Sequence, residues 1–212
     1  MTIRVLLADD HAMMRDGLKA LLEAAGISVV GAAGDGRAAL RLAVELKPDV
    51  VVMDISMPDM NGIEAARLLR EKCPATRIVM LSMHSSSEHV FRAFEAGAAG
   101  YILKESAGAE VEAAVRAVHG GNRYLSGAIA SPESTAQSHA QHPGPLASLS
   151  ARERQVLQLV VEGRSSAEIA KVVFLSRKSV ETYRSRLMKK LGVADVPALV
   201  KFAILHGITP AD

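Results

Sequence analysis

Val50-Val51-Val52-Met53-Asp54-Ile55-Ser56-Met57-Pro58-Asp59-Met60-Asn61-Gly62 is the stretch that decides the fold. Four successive apolar residues, three of them β-branched, read as a strand buried on both faces, the mark of a parallel sheet covered by helices. The run stops at an acid, Asp54. A turn-forming segment carrying Pro58 and Gly62 follows. Ile63, Ala66 and Leu69 then recur at helical spacing, with Leu68 at the edge of the stripe.

The same alternation extends outward in both directions. Arg4–Ala8, Val29–Ala32, Ile78–Leu81 and Tyr101–Leu103 read as further strands. Between them lie helical stripes: Met13, Leu18, Leu21, Leu22 and Ala25 before Gly26, then Ala38, Leu42 and Leu46 before Lys47-Pro48. Val90 and Phe94 precede Gly97, and Val111, Val115 and Val118 precede Gly120-Gly121. Five such units predict an α/β fold, a doubly wound five-stranded parallel sheet in the order 2-1-3-4-5. Right-handed crossovers place the functional loops at the carboxyl ends of the strands.

Polar residues fall where the strands stop. Asp9-Asp10 follows strand one, Asp54 strand three, Ser82 strand four and Lys104 strand five. Strands one and three are neighbours in this order, so three carboxylates converge in one crevice, with a hydroxyl and an ammonium across from them. Clustered carboxylates repel, and a hard divalent cation, Mg²⁺, resolves the conflict through oxygen ligands. Such a cation also prepares Asp54 to accept a phosphoryl group, whose remaining oxygens suit Lys104 and Ser82. Two competing motifs fail. Gly31-Ala32-Ala33-Gly34-Asp35-Gly36 has the wrong glycine order for a dinucleotide loop. The aspartyl-phosphate hydrolases carry a second acid two positions after the nucleophile, where this chain has Ser56.

The chain has 212 residues with 25 Lys/Arg and 23 Asp/Glu, and these charges are unevenly spread. Residues 1–147 hold 14 Lys/Arg and 17 Asp/Glu, whereas residues 148–212 hold 11 and 6. An acidic front and a basic back predict two domains, the back one facing a polyanion. Between them, residues 126–145 are small, polar and Pro-bearing without hydrophobic period, which is a linker composition. Cys73, the single cysteine, excludes an internal disulfide and a Cys-cluster metal site. The apolar runs are too short to span a membrane, and the strand pattern beginning at Ile3 leaves no room for a signal peptide, so a cytoplasmic protein is expected. Aromatic content of 3% without Trp disfavours a base-stacking RNA platform.

The back part reads as four capped helices. Ser150-Ala151-Arg152-Glu153 and Ser165-Ser166-Ala167-Glu168 are capping boxes, Ser176 caps a third helix and Asp195-Val196-Pro197 opens a fourth, stopped by Gly207. The turn Val173-Phe174-Leu175-Ser176 joins two of them as a helix-turn-helix. On the third helix Val180, Leu187, Leu191 and the edge residue Tyr183 gather on one side. Lys178, Glu181, Thr182, Ser185 and Lys189 gather opposite with Arg186 beside them, a face able to enter a major groove.

These residues carry a resemblance. Asp9-Asp10, the D-x-x-M-P-x-x-x-G stretch from Asp54 to Gly62, Leu81-Ser82-Met83 and Tyr101-Ile102-Leu103-Lys104 resemble a response-regulator receiver domain over about residues 3–120. Leu149–Leu157, Glu168-Ile169-Ala170, Ser179-Val180-Glu181-Thr182 and Leu187–Val193 resemble the LuxR-type DNA-binding domain over about 149–207, and the pair resembles the NarL/FixJ family. The resemblance implies that Asp54 is the phosphoacceptor. It implies that Asp10, Asp54 and the Ser56 carbonyl ligate Mg²⁺, with Asp9 acting mainly through water, that Lys104 and Ser82 hold the phosphoryl group, and that Tyr101 is the aromatic switch, biased inward by phosphorylation. Glu105 departs from the pattern, which usually has Pro after the lysine. By the same pattern Glu181, Thr182 and Ser185 are base-edge candidates. Lys178, Arg184, Arg186, Lys189 and Lys190 suit phosphates, Arg184 by snorkelling outward from the core edge.

The expected organisation is a receiver over 1–123, a flexible linker over 124–147 and a helix-turn-helix domain over 148–212. The expected function is a transcriptional regulator, not an enzyme. A sensor histidine kinase phosphorylates it, and it then pairs as a homodimer on promoter double-stranded DNA, with no membrane partner. The alternative is a receiver-controlled protein-interaction module with secondary DNA contact.

Overall fold

A computed structural model describes residues 2–129, 145–206 and 208. The chain forms two compact units, divided between Gln137 and Ser138. The expected linker lies mostly outside the described residues, as does the helix stop expected at Gly207.

The first unit alternates β1 (Arg4–Ala8), α1 (Ala12–Ala24), β2 (Ser28–Ala33), α2 (Gly36–Leu46), β3 (Val50–Asp54), α3 (Gly62–Lys72), β4 (Arg77–Ser82), α4 (Ser87–Ala96), β5 (Gly100–Leu103) and α5 (Ala107–His119). A further strand, β6 (Tyr124–Leu125), follows. All strand pairs are parallel, in the order β2-β1-β3-β4-β5-β6. Alternate residues of each inner strand face opposite layers. Leu6, Val51, Met53, Met80 and Tyr101 meet α2, α3 and α4, while Val5, Leu7, Val52, Val79 and Ile102 meet α1 and α5. Burial on both faces explains why the inner strands read as unbroken apolar runs.

The structure corrects the expected strand count from five to six. Tyr124 and Leu125 pair with Gly100 and Tyr101 of β5, and Ile129 is buried in the same core as Tyr101. The cause is the open edge of β5, whose unpaired backbone groups accept a short added strand. Two helical stripes also need correction. Met13 is 89% exposed, and α2 buries Ala39 and Ala43, with Ala38 and Leu42 only partly covered. Small residues let α2 approach the sheet closely, and the leucines flank that contact.

In the second unit, a 3-10 turn (Pro145–Ser148) leads into α6 (Ala151–Val161), α7 (Ser166–Val173), α8 (Arg177–Leu191) and α9 (Val196–Leu205). Both capping boxes form, Ser150 with Glu153 and Ser165 with Glu168, while Ser176 and Asp195 cap α8 and α9. Each satisfies amide donors that would otherwise be orphaned at a helix start. Val156, Leu157, Ile169, Val180, Leu187 and Leu199 close one core. The α7–α8 turn holds Phe174 in the left-handed region at φ 54°, with its ring 89% exposed. Among the described residues no helix is long and apolar enough to cross a membrane.

Candidate functional site

The carboxyl ends of β1, β3, β4 and β5 bring the expected residues together. Asp54 ends β3 and is 1% exposed, as are Asp9 and Ser82. Lys104 Nζ donates to Asp54 Oδ2 at 2.7 Å and stands 2.9 Å from Asp9 Oδ2. The other Asp54 oxygen accepts the Ser56 amide at 3.1 Å. Gly62 makes this turn feasible, because a Cβ there would meet the Asp54 carbonyl oxygen at 2.1 Å. Asn61 fixes the start of α3, its side chain accepting the Glu64 amide.

Burial pushes the Asp54 carboxyl above its ordinary value, and the Lys104 ammonium pulls against that shift. Burial likewise opposes the charge on Lys104, but Asp54 and Asp9 outweigh it and its net direction is upward. The lysine therefore stays protonated beside the acids it serves.

Sequence reasoning missed His11. Its Nδ1 lies 2.8 Å from Asp10 Oδ1 and 3.2 Å from Asp9 Oδ1. A histidine beside two acids has no signature of its own in a sequence, so only the fold exposes the contact. Arg15 was missed too, and its guanidinium donates to the Asp9 carbonyl at 2.5 Å. Ligand atoms of Asp9, Asp10, His11 and Asp54 all lie within 4.8 Å of one another. Buried Asp9 Oδ2 has the Lys104 charge nearby but accepts no well-aligned hydrogen bond. A set dominated by hard carboxylate oxygens, one with unused accepting capacity, fits a small divalent cation such as Mg²⁺.

Behind the pocket, Ser82 Oγ accepts the His84 amide at 3.0 Å, and Tyr101 Oη donates to the His84 carbonyl at 2.6 Å. Tyr101 is fully buried, and that burial pushes its phenol up to about 12. The ring lies inward, in the core that also holds Val90 and Ala93 of α4 and against which Leu125 of β6 packs. The His84 and His89 rings stack at 4.4 Å. Glu105, in the place where proline is usual, sits within a 3-10 turn, Lys104–Ser106.

In the second unit, Lys178, Glu181, Thr182, Ser185, Arg186 and Lys189 are all exposed on α8. Glu181 is paired with Arg177 at 2.9 Å, a partner not foreseen. Two of the expected phosphate contacts also have partners within the unit. The Arg184 guanidinium donates to Ser166 Oγ at 2.9 Å and ties α8 to α7. Lys190 donates to Glu153 Oε2 at 2.7 Å and to the Ser148 carbonyl at 3.0 Å, so it anchors α8 to the α6 cap.

Residues 5–116 match the response regulator receiver domain family, and residues 147–203 match the luxR family of bacterial regulatory proteins. This chain is a luxR-family response regulator. Among its relatives, the transcriptional regulatory protein MctR of Rhizobium johnstonii is 41% identical over 97% of this chain and 95% of its own length. The response regulator UvrY of Escherichia coli is 38% identical over 99% of this chain and 97% of its own. Among solved structures, the RcsB response regulator of Salmonella typhimurium covers 98% of both chains at 28% identity, with a TM-score of 0.67. A LuxR-family response regulator from Aurantimonas covers 66% of this chain and 99% of its own at 40% identity, with a TM-score of 0.60. An RcsB–DNA complex covers 99% of this response regulator and 100% of its own chain at 27% identity, with a TM-score of 0.55.

Proposed function

We propose that this response regulator takes a phosphoryl group on Asp54 from a sensor histidine kinase and then binds promoter DNA through α8 as a homodimer. The observation that carries the chemistry is the buried Asp54 carboxylate, held by Lys104 and the Ser56 amide beside two further acids. An Asp54 oxygen forms the new O–P bond as the donor's P–N bond breaks, and the donor imidazole keeps the electron pair and takes a proton from solvent. Lys104 and Ser82 hold the oxygens of the transferred group. Asp10, Asp54 and the Ser56 carbonyl would hold Mg²⁺, with Asp9 acting mainly through water, and the cation would neutralise charge on the transferring oxygens.

The α8 face carries the DNA reading. Thr182, Ser185 and Glu181 meet base edges, and Lys178, Arg186 and Lys189 meet phosphates. The solved RcsB–DNA complex supports this reading by likeness of chain and architecture. We assign the receiver to residues up to Ile129 and the reading head to residues from Pro145. Both partners belong to the cytoplasm, where we place the protein. It acts as a regulator and not as an enzyme, because one phosphoryl group per signal suffices; sustained turnover of a small phosphoester would contradict this.

Incubation with acetyl phosphate and Mg²⁺ tests the assignment. The wild-type chain should gain one acyl phosphate, labile to acid and alkali, and Asp54→Asn should gain none. Uptake by Asp54→Asn at the wild-type rate would overturn it.

A further inference from the structure

Residues Arg123–Ile129 lie on the one covalent path between the receiver and the reading head, and they are built onto the switch. The Ser126 amide donates to the Tyr101 carbonyl at 2.9 Å, and the Tyr124 amide donates to the Ala99 carbonyl at 3.1 Å. Ser126 is 1% exposed, and its hydroxyl donates to Glu110 Oε1 of α5 at 3.0 Å. Arg123 stands 5.4 Å over the Phe94 ring of α4. Leu125 and Ile129 pack into the core that contains Tyr101 and Val90. The segment thus grips α4, β5 and α5 at once, and it turns β5 from an edge strand into an inner one.

We propose that Arg123–Ile129 is a latch that positions Tyr101 and carries the state of the phosphorylation pocket into the chain leading to the DNA head. Three hydrogen bonds, joined through the covalent frames of His84 and Tyr101, link the two ends: Ser82 Oγ with the His84 amide, the His84 carbonyl with Tyr101 Oη, and the Tyr101 carbonyl with the Ser126 amide. The Ser82 hydroxyl can donate its proton to a phosphoryl oxygen while still accepting from His84. A hydroxyl that donates to an anion becomes a better acceptor, so a phosphoryl group on Asp54 strengthens the bond to His84. That fixes the carbonyl that holds Tyr101 inward, and an inward Tyr101 keeps Leu125 and Ile129 packed. By linkage, seating the latch favours the phosphorylated pocket by the same factor.

The proposal rests on Asp54 as phosphoacceptor, so phosphoryl uptake is measured alongside it. Amide hydrogen exchange at Tyr124 and Ser126 is followed in the full chain, with and without acetyl phosphate and Mg²⁺. Once Asp54 is labelled, both amides should exchange about tenfold more slowly. Ser126→Pro removes the donor to Tyr101. It should still take up the label on Asp54, with the labelled state disfavoured by no more than the coupling factor, yet lose most of the phosphorylation-driven gain in affinity for a duplex selected by the phosphorylated chain from a random pool. Ser126→Ala keeps that donor and should retain the gain. Unchanged exchange in a fully labelled wild-type chain overturns the latch, as does a full affinity gain in Ser126→Pro. Absence of label on Asp54 overturns the phosphoacceptor reading itself, and the latch with it.

Discussion

Single side chains on α8 divide into those that face outward and those that hold the head together. Thr182 and Ser185 are exposed about one turn apart, so they can meet neighbouring base pairs. Thr182→Ala or Ser185→Ala should weaken the selected duplex more than scrambled DNA, by about 1–3 kcal/mol. Lys189→Ala should weaken both alike and reduce the salt slope by about one unit. Titrations at several salt concentrations separate these outcomes, and equal losses on both DNAs for Thr182→Ala would defeat base reading. Lys190 belongs to the second class through its bond to buried Glu153. Burial alone would raise that carboxyl, but Lys190 and Ser150 outweigh it and hold it below its usual value of 4.5. A depressed folded value stabilises the head above that pH, and the contribution is lost as pH falls through the folded value. Denaturant titrations between about pH 5.5 and about pH 3 should therefore show a steeper fall in stability for wild type than for Glu153→Gln; parallel curves would remove Glu153 from the account. Phe174 is a different case, a bulky residue in left-handed backbone with an exposed ring. Phe174→Gly relieves that strain while sacrificing little packing, and should raise stability by up to about 1 kcal/mol. A lower melting temperature would show that the ring packs against something.

At the scale of elements, the β3–α3 turn is the tightest constraint around the phosphorylation pocket. Gly62→Ala drives a methyl into the Asp54 carbonyl, so it should cost about 1–3 kcal/mol and slow phosphoryl uptake together. A melting curve and an uptake assay at wild-type values would show that the turn relaxes freely. The helices and inner strands were legible in the sequence because each repeats a pattern: apolar runs for strands covered on both faces, capping boxes for α6 and α7. β6 was not legible, since two residues have no period and their pairing depends on an edge more than twenty residues upstream. The α2 stripe was misread for a related reason. Periodicity marks which side of a helix is apolar, but close approach to the sheet selects Ala39 and Ala43 over the larger Leu42. Asp9, Asp54, Ser82 and Lys104 converge as the strand order requires. The partners of Arg184 and Lys190 lie 18 and 37 residues away, beyond what a helical wheel can reveal.

For the whole molecule, two compact units of opposite charge balance are joined by one segment of chain. The receiver supplies a buried acid, Asp54, and a last strand followed by Ser126, bonded to the Tyr101 carbonyl, and the head supplies an exposed basic helix. Coupling between two such sites usually amounts to between a few-fold and about a hundredfold in affinity. The most direct measurement titrates the full chain onto the selected duplex, as wild type and as Asp54→Asn, each with and without acetyl phosphate and Mg²⁺. Acetyl phosphate should tighten wild-type binding by about tenfold and leave Asp54→Asn unchanged. An equal gain in Asp54→Asn, or no gain in a wild-type chain carrying the phosphoryl group, would contradict it.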